Sequence, residues 1–168
     1  MNNADNLILI GMPGSGKSTV GVLLAKRTAR AFVDTDLLIQ TAVGRPLQDI
    51  VDRDGYVELR RIEEEVLLGI ECRSHVVATG GSAVYSDKAM RHLKTGGRVV
   101  FLDVDLQSLQ ERVGDFSQRG LAKRPDQTFA ELFAERGALY RRYADITVQG
   151  GGLDQDEVCE KIAAAVSG

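Results

Sequence analysis

One octapeptide, Gly11-Met12-Pro13-Gly14-Ser15-Gly16-Lys17-Ser18, narrows the fold more than any other feature of the chain. It satisfies G-x-x-x-x-G-K-[ST] in full. An apolar run with no helical period, Leu7-Ile8-Leu9-Ile10, precedes it, and residues 17–30 behind it place Val20, Val22, Leu23, Leu24 and Ala25 on a helical period. Strand, glycine-rich turn and helix in that order build an anion cradle. The glycines let successive backbone N–H groups turn inward, and the helix N-terminus adds its partial positive charge. Gly14, Ser15, Gly16, Lys17, Ser18 and Thr19 are therefore expected to hold the phosphates of a nucleoside triphosphate. Lys17 is placed on the β- and γ-phosphates and Ser18 on Mg²⁺, a cation that takes hard oxygen ligands.

The rest of the chain repeats the alternation. Short strands are expected at 31–34, 76–78, 98–102 and 146–148, and helices at 37–43, 47–54, 57–72, 87–94, 106–113, 129–143 and 157–166. Strands separated by helices imply a parallel sheet covered on both faces. The expected fold class is α/β, a three-layer sandwich around a five-stranded parallel sheet of the P-loop kinase type. No linker divides the 168 residues, so 1–168 reads as a single domain. Residues 114–127 are polar, with Gly120, Pro125 and the cations Arg119, Lys123 and Arg124. A connection that long in a compact domain is usually functional, and a lid loop is the expectation.

Composition excludes several functions. The chain has 21 basic and 24 acidic residues, hence a net charge of −3, whereas nucleic-acid binders are usually basic. Tryptophan is absent, which argues against a base-stacking platform. Apolar runs are too short to span a bilayer, and residues 1–5 lack a signal-peptide pattern, so no membrane contact and a cytoplasmic location are expected. Cys72 and Cys159 are far apart and read as ordinary thiols. His75 and His92 read as surface turn or helix-end residues. No base-reading N-K-x-D accompanies the cradle, and the chain is short for a motor ATPase. A small-molecule kinase, monomeric by default, is what remains.

Asp34-Thr35-Asp36 closes the second strand. In an extended strand both carboxylates share a face, at the sheet edge where ligands bind. One can then hold Mg²⁺ while the other takes a proton from an acceptor hydroxyl. A plain turn, with Asp36 capping the next helix, fits the residues as well. Val99–Asp103 also matches the loose pattern of an apolar strand ending in a metal acid, in competition with Asp34.

Read in order, Gly11–Thr19, Asp34-Thr35-Asp36, Gly55-x4-Arg60-x2-Glu63, Ala78-Thr79-Gly80-Gly81 and Arg136-x2-Leu139-Tyr140-x3-Ala144-Asp145 resemble the shikimate kinase family across nearly the whole chain. The resemblance implies ATP and Mg²⁺, with the γ-phosphate passing to the 3-hydroxyl of shikimate on the way to chorismate and the aromatic amino acids. It makes Asp34 the Mg²⁺-associated acid and Asp36 the substrate-hydroxyl acid and base. Arg60 and Arg136 become the pair that grips the shikimate carboxylate, with Glu63 orienting Arg60, and Gly80 and Gly81 the backbone beside substrate. A planar guanidinium suits a carboxylate bidentately. Tyr140 reads as a packing residue. The segment between about 36 and 63 becomes the substrate-binding segment and 114–127 the lid, with Arg119 favoured over Arg124 as the arginine reaching ATP. The catalytic set is then Lys17, Asp36 and Arg119. Gly150-Gly151-Gly152 is placed near the base.

Tyr56, Leu59, Ser82 and Ala138 depart from the family's usual pattern, where an acid, Phe, Gly and Pro are common. All four, with the altered lid, bear on the acceptor side. The alternatives are a kinase of another small anionic polyol or sugar acid such as gluconate, a nucleoside-monophosphate kinase, and a nucleotide-binding regulator with little turnover.

Overall fold

The computed structural model describes residues 5–114 and 120–167. Five parallel strands form one sheet: β1 (Asn6–Ile10), β2 (Ala31–Asp34), β3 (His75–Ala78), β4 (Gly97–Asp103) and β5 (Ile146–Gln149), in the order β2-β3-β1-β4-β5. Eight helices cover it among the described residues: α1 (Lys17–Thr28), α2 (Thr35–Val43), α3 (Leu47–Asp54), α4 (Tyr56–Leu68), α5 (Asp87–Thr95), α6 (Leu106–Val113), α7 (Phe129–Tyr143) and α8 (Gln155–Ser167). A single 3₁₀ turn, Ala83–Tyr85, follows β3. The expected α/β architecture is the observed one.

Every residue of β1 is buried because both of its faces are covered. Leu7 and Leu9 pack with Val20, Leu24, Val158 and Ile162 under α1 and α8. Ile8 and Ile10 pack on the other face with Leu67, Met90, Leu132 and Tyr140 from α4, α5 and α7. The side-chain alternation of a strand thus divides one apolar run between two cores. Burying each such aliphatic contributes roughly 1.5–3 kcal/mol. A third, smaller cluster joins Ile39, Ile50 and Leu59 of α2, α3 and α4 to Ala122 of the 114–127 connection.

Helix ends shift from their expected positions for local reasons. The helix expected at 57–72 stops at Leu68, where Gly69 closes it and its N–H returns to the Glu65 and Val66 carbonyls. Residues 70–74 instead lead into β3, with Ile70 and Cys72 packed on the core. The first helix ends at Thr28 rather than 30, because Ala29 is left-handed. The second helix begins two residues earlier than expected, at Thr35, and that shift matters for the site. His75 opens β3 and His92 lies in α5, its Nε2 bonded to the Ile70 carbonyl. No described helix is long and apolar enough to cross a membrane.

β1 turns toward α1 and β2, while β4 and β5 lie on its other side, so the connections diverge at the carboxyl ends of the central strands. That divergence leaves a crevice there, the usual ligand position of such sheets. The cradle, Asp34 and Gly80 all sit on this edge.

Candidate active site

A cavity of about 570 Å³ opens over that edge, lined by the cradle, Asp36, Leu59, Glu63, Gly80, Gly81, Ser82, Arg112, residues 120–122 and Arg136. Gly14 and Gly16 of the cradle have φ of 83° and 95°, left-handed values that a side chain disfavours. Lys17 begins α1 and folds back over the loop, donating to the Gly11 and Met12 carbonyls at 2.7 and 2.8 Å. Burial lowers its pKa to about 8, against the opposing pull of Asp36, Asp34 and Glu63. A buried ammonium held only by neutral oxygens is ready for an anion, and a phosphate restores its charge balance. Ser15 is buried beneath, while Ser18 and Thr19 are exposed to the cavity.

Asp34 and Asp36 do come together, but not as neighbours along a strand face. β2 ends at Asp34, which caps α2 by accepting from the Asp36 N–H at 2.9 Å. The cap is thus Asp34, and Asp36 occupies the first helical turn. The second oxygen of Asp34 accepts from Ser18 Oγ at 2.6 Å. Two hard oxygen donors joined beside the phosphate cradle suit Mg²⁺ and would hold it through Ser18 and Asp34. Asp36 is left to line the cavity, its pKa raised by burial and by Asp34, with Lys17 opposing.

Gly80 and Gly81 form the floor. The Gly80 N–H donates to Thr35 Oγ1 at 3.2 Å, tying β3 to the start of α2. A Cβ at Gly80 would lie 2.6 Å from Glu63 Oε1 and 2.7 Å from Asp36 Oδ1. At Gly81 it would lie 2.6 Å from Arg136 Nη1 and 2.9 Å from Pro13 Cδ. A side chain in either place would have to displace the very groups, Glu63, Asp36 or Arg136, that line the cavity. Tyr140 packs as expected, its hydroxyl donating to the Gly81 carbonyl at 2.6 Å beneath the floor.

Arg136 lines this cavity, whereas Arg60 lines a neighbouring recess of about 360 Å³ with Glu63, Ser82 and Tyr85. Arg136, 1% exposed, and Arg60, half-buried, each donate Nη2 to the same Ala122 carbonyl, at 3.1 and 2.9 Å. Burial and the nearby Arg136 lower the Arg60 pKa, with Tyr85 opposing between them in strength. For Arg136 burial also acts downward, but Tyr140, Tyr85 and Glu63 outweigh it and hold its pKa up. Two guanidinium groups share one neutral oxygen, which is an arrangement that favours an incoming anion.

Glu63 corrects a sequence expectation. It does not brace Arg60; it accepts from Ser82 Oγ, and its other oxygen is buried without a hydrogen-bond partner. Ser82, standing where the family usually has glycine, supplies that hydroxyl. Burial pushes the Glu63 pKa from 4.5 up to about 7, with Ser82 opposing. A carboxyl raised on folding contributes its full stability below the unfolded value near 4.5 and loses it as pH climbs through 7. Glu63→Gln, which mimics the protonated form, should therefore gain on the wild type as pH rises from about 5 to 8. The gain should reach at most ~3 kcal/mol. Denaturant melts at both pH values check this, and a gap that is constant or shrinks with pH rules it out.

The remaining expectations sort as follows. Arg119 lies outside the described residues. Arg124 is exposed and pairs with Glu135 at 3.3 Å, away from the cavity lining. A cation not foreseen takes a place on the donor side instead: Arg112, in the last turn of α6, lines both the main cavity and a second one shared by Gly14, Gly16, Leu153 and Asp154. Its only signal was a basic residue just before the lid. That second cavity begins directly after Gly150–Gly152. Asp103 faces Gln149 and Arg141, at 3.0 and 3.8 Å, and does not line the cavity. Of the four departures, Leu59 lines the cavity and Tyr56 lies against Arg60 at 5.1 Å, whereas Ala138 is exposed on α7.

Comparison with known proteins agrees with this geometry. The model of the shikimate kinase family matches residues 13–167. A shikimate kinase of Mycobacterium avium is 42% identical over 148 residues, covering 86% of this chain and 84% of its own. One from Thermodesulfovibrio yellowstonii is 36% identical over 160 residues, covering 94% and 92%. Among solved structures, the Acinetobacter baumannii shikimate kinase in complex with shikimate superposes with a TM-score of 0.87 at 29% identity, covering 97% of this chain and 93% of that one. The Aquifex aeolicus enzyme gives 0.81 at 34% identity, with 97% and 96% covered. With cradle, paired acids and facing arginines in the family's order, and with relatives matching over most of their length, this chain belongs to the shikimate kinase family.

Proposed function

We propose that the chain transfers the γ-phosphate of ATP to the 3-hydroxyl of shikimate, working in the cytoplasm as a monomeric, single-domain enzyme. One observation carries the choice of acceptor. Arg60 and Arg136 aim one Nη2 each at a single neutral oxygen, and the cavity that Arg136 lines extends to Asp36 and Lys17. An acceptor with a carboxylate at one end and a hydroxyl at the other bridges that span. The carboxylate takes the arginines and the hydroxyl reaches Asp36.

Transfer follows from these placements. The cradle N–H groups and Lys17 hold the β- and γ-phosphates, and Lys17 releases the loop carbonyls to do so. Asp36 receives the acceptor's hydroxyl proton as its oxygen attacks phosphorus in line, and ADP leaves. Ser18 and Asp34 would hold Mg²⁺, which spreads the charge of the transferring phosphoryl group when bound. Arg112 lies where the nucleotide leaves the cradle. Arg119 is assigned to the lid, which closes over the phosphates and excludes water.

An ADP-release assay with MgATP and a panel of shikimate, quinate, gluconate, homoserine and nucleoside monophosphates tests the proposal. Turnover is expected with shikimate far above the others. Equal or greater turnover with gluconate or a nucleotide overturns the acceptor assignment, and silence across the panel overturns the activity.

A further inference from the structure

Arg60 lacks the support that the sequence led one to expect. Glu63 has turned to Ser82, and the Nε atoms of both Arg60 and Arg136 are buried without a hydrogen-bond partner. One neutral carbonyl, that of Ala122, receives an Nη2 from each. Such a contact fixes a point on each guanidinium but not its plane, and two like charges that converge there repel. Something else has to set the planes if a carboxylate is to be gripped on two nitrogens of each.

Tyr85 occupies the position to do so. It ends the 3₁₀ turn that follows Gly80, Gly81 and Ser82, so the acceptor floor leads straight into it. The Arg60 guanidinium carbon lies 3.6 Å from its ring centroid, and that of Arg136 lies 5.5 Å away. Both cations therefore meet the negative face of one aromatic ring. The ring itself is anchored at its far end. Its hydroxyl donates to Glu135 Oε1 at 2.5 Å, and Glu135 Oε2 accepts from Gln127 at 3.0 Å and Arg124 at 3.3 Å, both at the C-terminal end of the lid segment. Tyr56, at the start of α4, adds a second ring 5.1 Å from Arg60.

We infer that Tyr85 is the positioning residue for acceptor recognition, its anchored ring holding Arg60 and Arg136 in the planes that receive the substrate's carboxylate. The inference rests on the acceptor reading given above and adds the residue that makes the arginine pair usable. It also gives Arg124 a role, as part of the anchor of Glu135 rather than as a ligand of ATP.

Steady-state kinetics of Tyr85→Ala, Tyr85→Leu and Tyr85→Phe test it, with shikimate, shikimate methyl ester and MgATP varied in turn. Loss of the ring should raise the KM for shikimate roughly tenfold, the scale of a desolvated cation–π contact. The KM for MgATP should stay within about twofold, because the cradle is untouched, and kcat should fall less than the acceptor KM rises. The methyl ester carries no carboxylate, so its already poor use should not worsen. Tyr85→Phe keeps the ring but loses the Glu135 anchor, so its shikimate KM should fall between those of the wild type and the ring-less variants. Tyr85→Leu fills the space and takes the place of the alanine variant if that one fails to fold. An unchanged shikimate KM in both ring-less variants overturns the inference while leaving the acceptor reading intact. So does a parallel rise in both KM values, or a phenylalanine variant as impaired as the ring-less ones. A wild-type protein inert toward shikimate overturns the acceptor reading, and this inference falls with it.

Discussion

Asp36→Asn should lower kcat by about a thousandfold while leaving MgATP binding in place. Asparagine keeps the size of the side chain and the fold of α2, whose cap is Asp34 rather than Asp36. What it removes is the cavity carboxylate that acts most strongly on Lys17 and is free of both the Ser18 contact made by Asp34 and the Ser82 contact made by Glu63. An amide cannot take the acceptor's proton, so the attacking oxygen stays a hydroxyl. Burial and Asp34 raise the Asp36 pKa, which makes it a stronger base than a solvated carboxylate. Lys17 also loses the largest of the opposing attractions that keep it charged, so its pKa should fall further in the variant. Turnover and calorimetric titration with MgATP, run side by side, separate the two effects. Activity within about tenfold of wild type would rule Asp36 out as the base.

Arg136→Lys should cost about a hundredfold in kcat/KM for shikimate, again with the KM for MgATP unchanged. The substitution keeps the positive charge, so a simple electrostatic role predicts a small effect. The structure predicts a large one. Arg136 reaches Ala122 with Nη2, lies against Gly81 with Nη1 and faces the Tyr85 ring, and these contacts need a planar fork. A lysine has one nitrogen for all of them. The side chain is also nearly fully buried, so an ammonium that fails to reach its partners is stranded in a poorly solvated place. Acceptor kinetics decide between the views, and a loss below about threefold in kcat/KM would favour charge alone. Thermal unfolding of the variant separates a folding defect from a recognition defect.

The sequence carried the donor half of the site almost completely, because backbone chemistry leaves few ways to wrap a phosphate. Gly14, Gly16, Lys17 and Ser18 stand where the spacing requires. The acids were legible as a pair, yet their geometry was not. Extended spacing suggested a common strand face, whereas Asp34 ends the strand and caps a helix that starts at the very next residue, Thr35. A capping carboxylate and a strand carboxylate look the same in sequence, and only the competing hydrogen bonds choose between them. Strand positions were clear because buried parallel strands are unbroken apolar runs. Helix ends were less so, as with Leu68, where one glycine decides the outcome. The acceptor half depends on side chains meeting across elements. That Glu63 would accept from Ser82, and that Tyr85 would lie beneath Arg60, follows from three-dimensional proximity across about twenty residues of chain, which no local pattern encodes.

Gly81 brings two chemistries to one point. A Cβ there would meet both Pro13 of the phosphate cradle and the Arg136 guanidinium. For the evolution of new acceptors this divides the pocket into a part that can drift and a part that cannot. Leu59, Tyr56 and Ser82 already differ from the common pattern of the family, and a wider or more polar acceptor can be sought there by further substitution. The floor is less free: a side chain at residue 81 would have to displace Pro13 of the cradle and the Arg136 guanidinium together, so a change there disturbs phosphate and acceptor recognition at once.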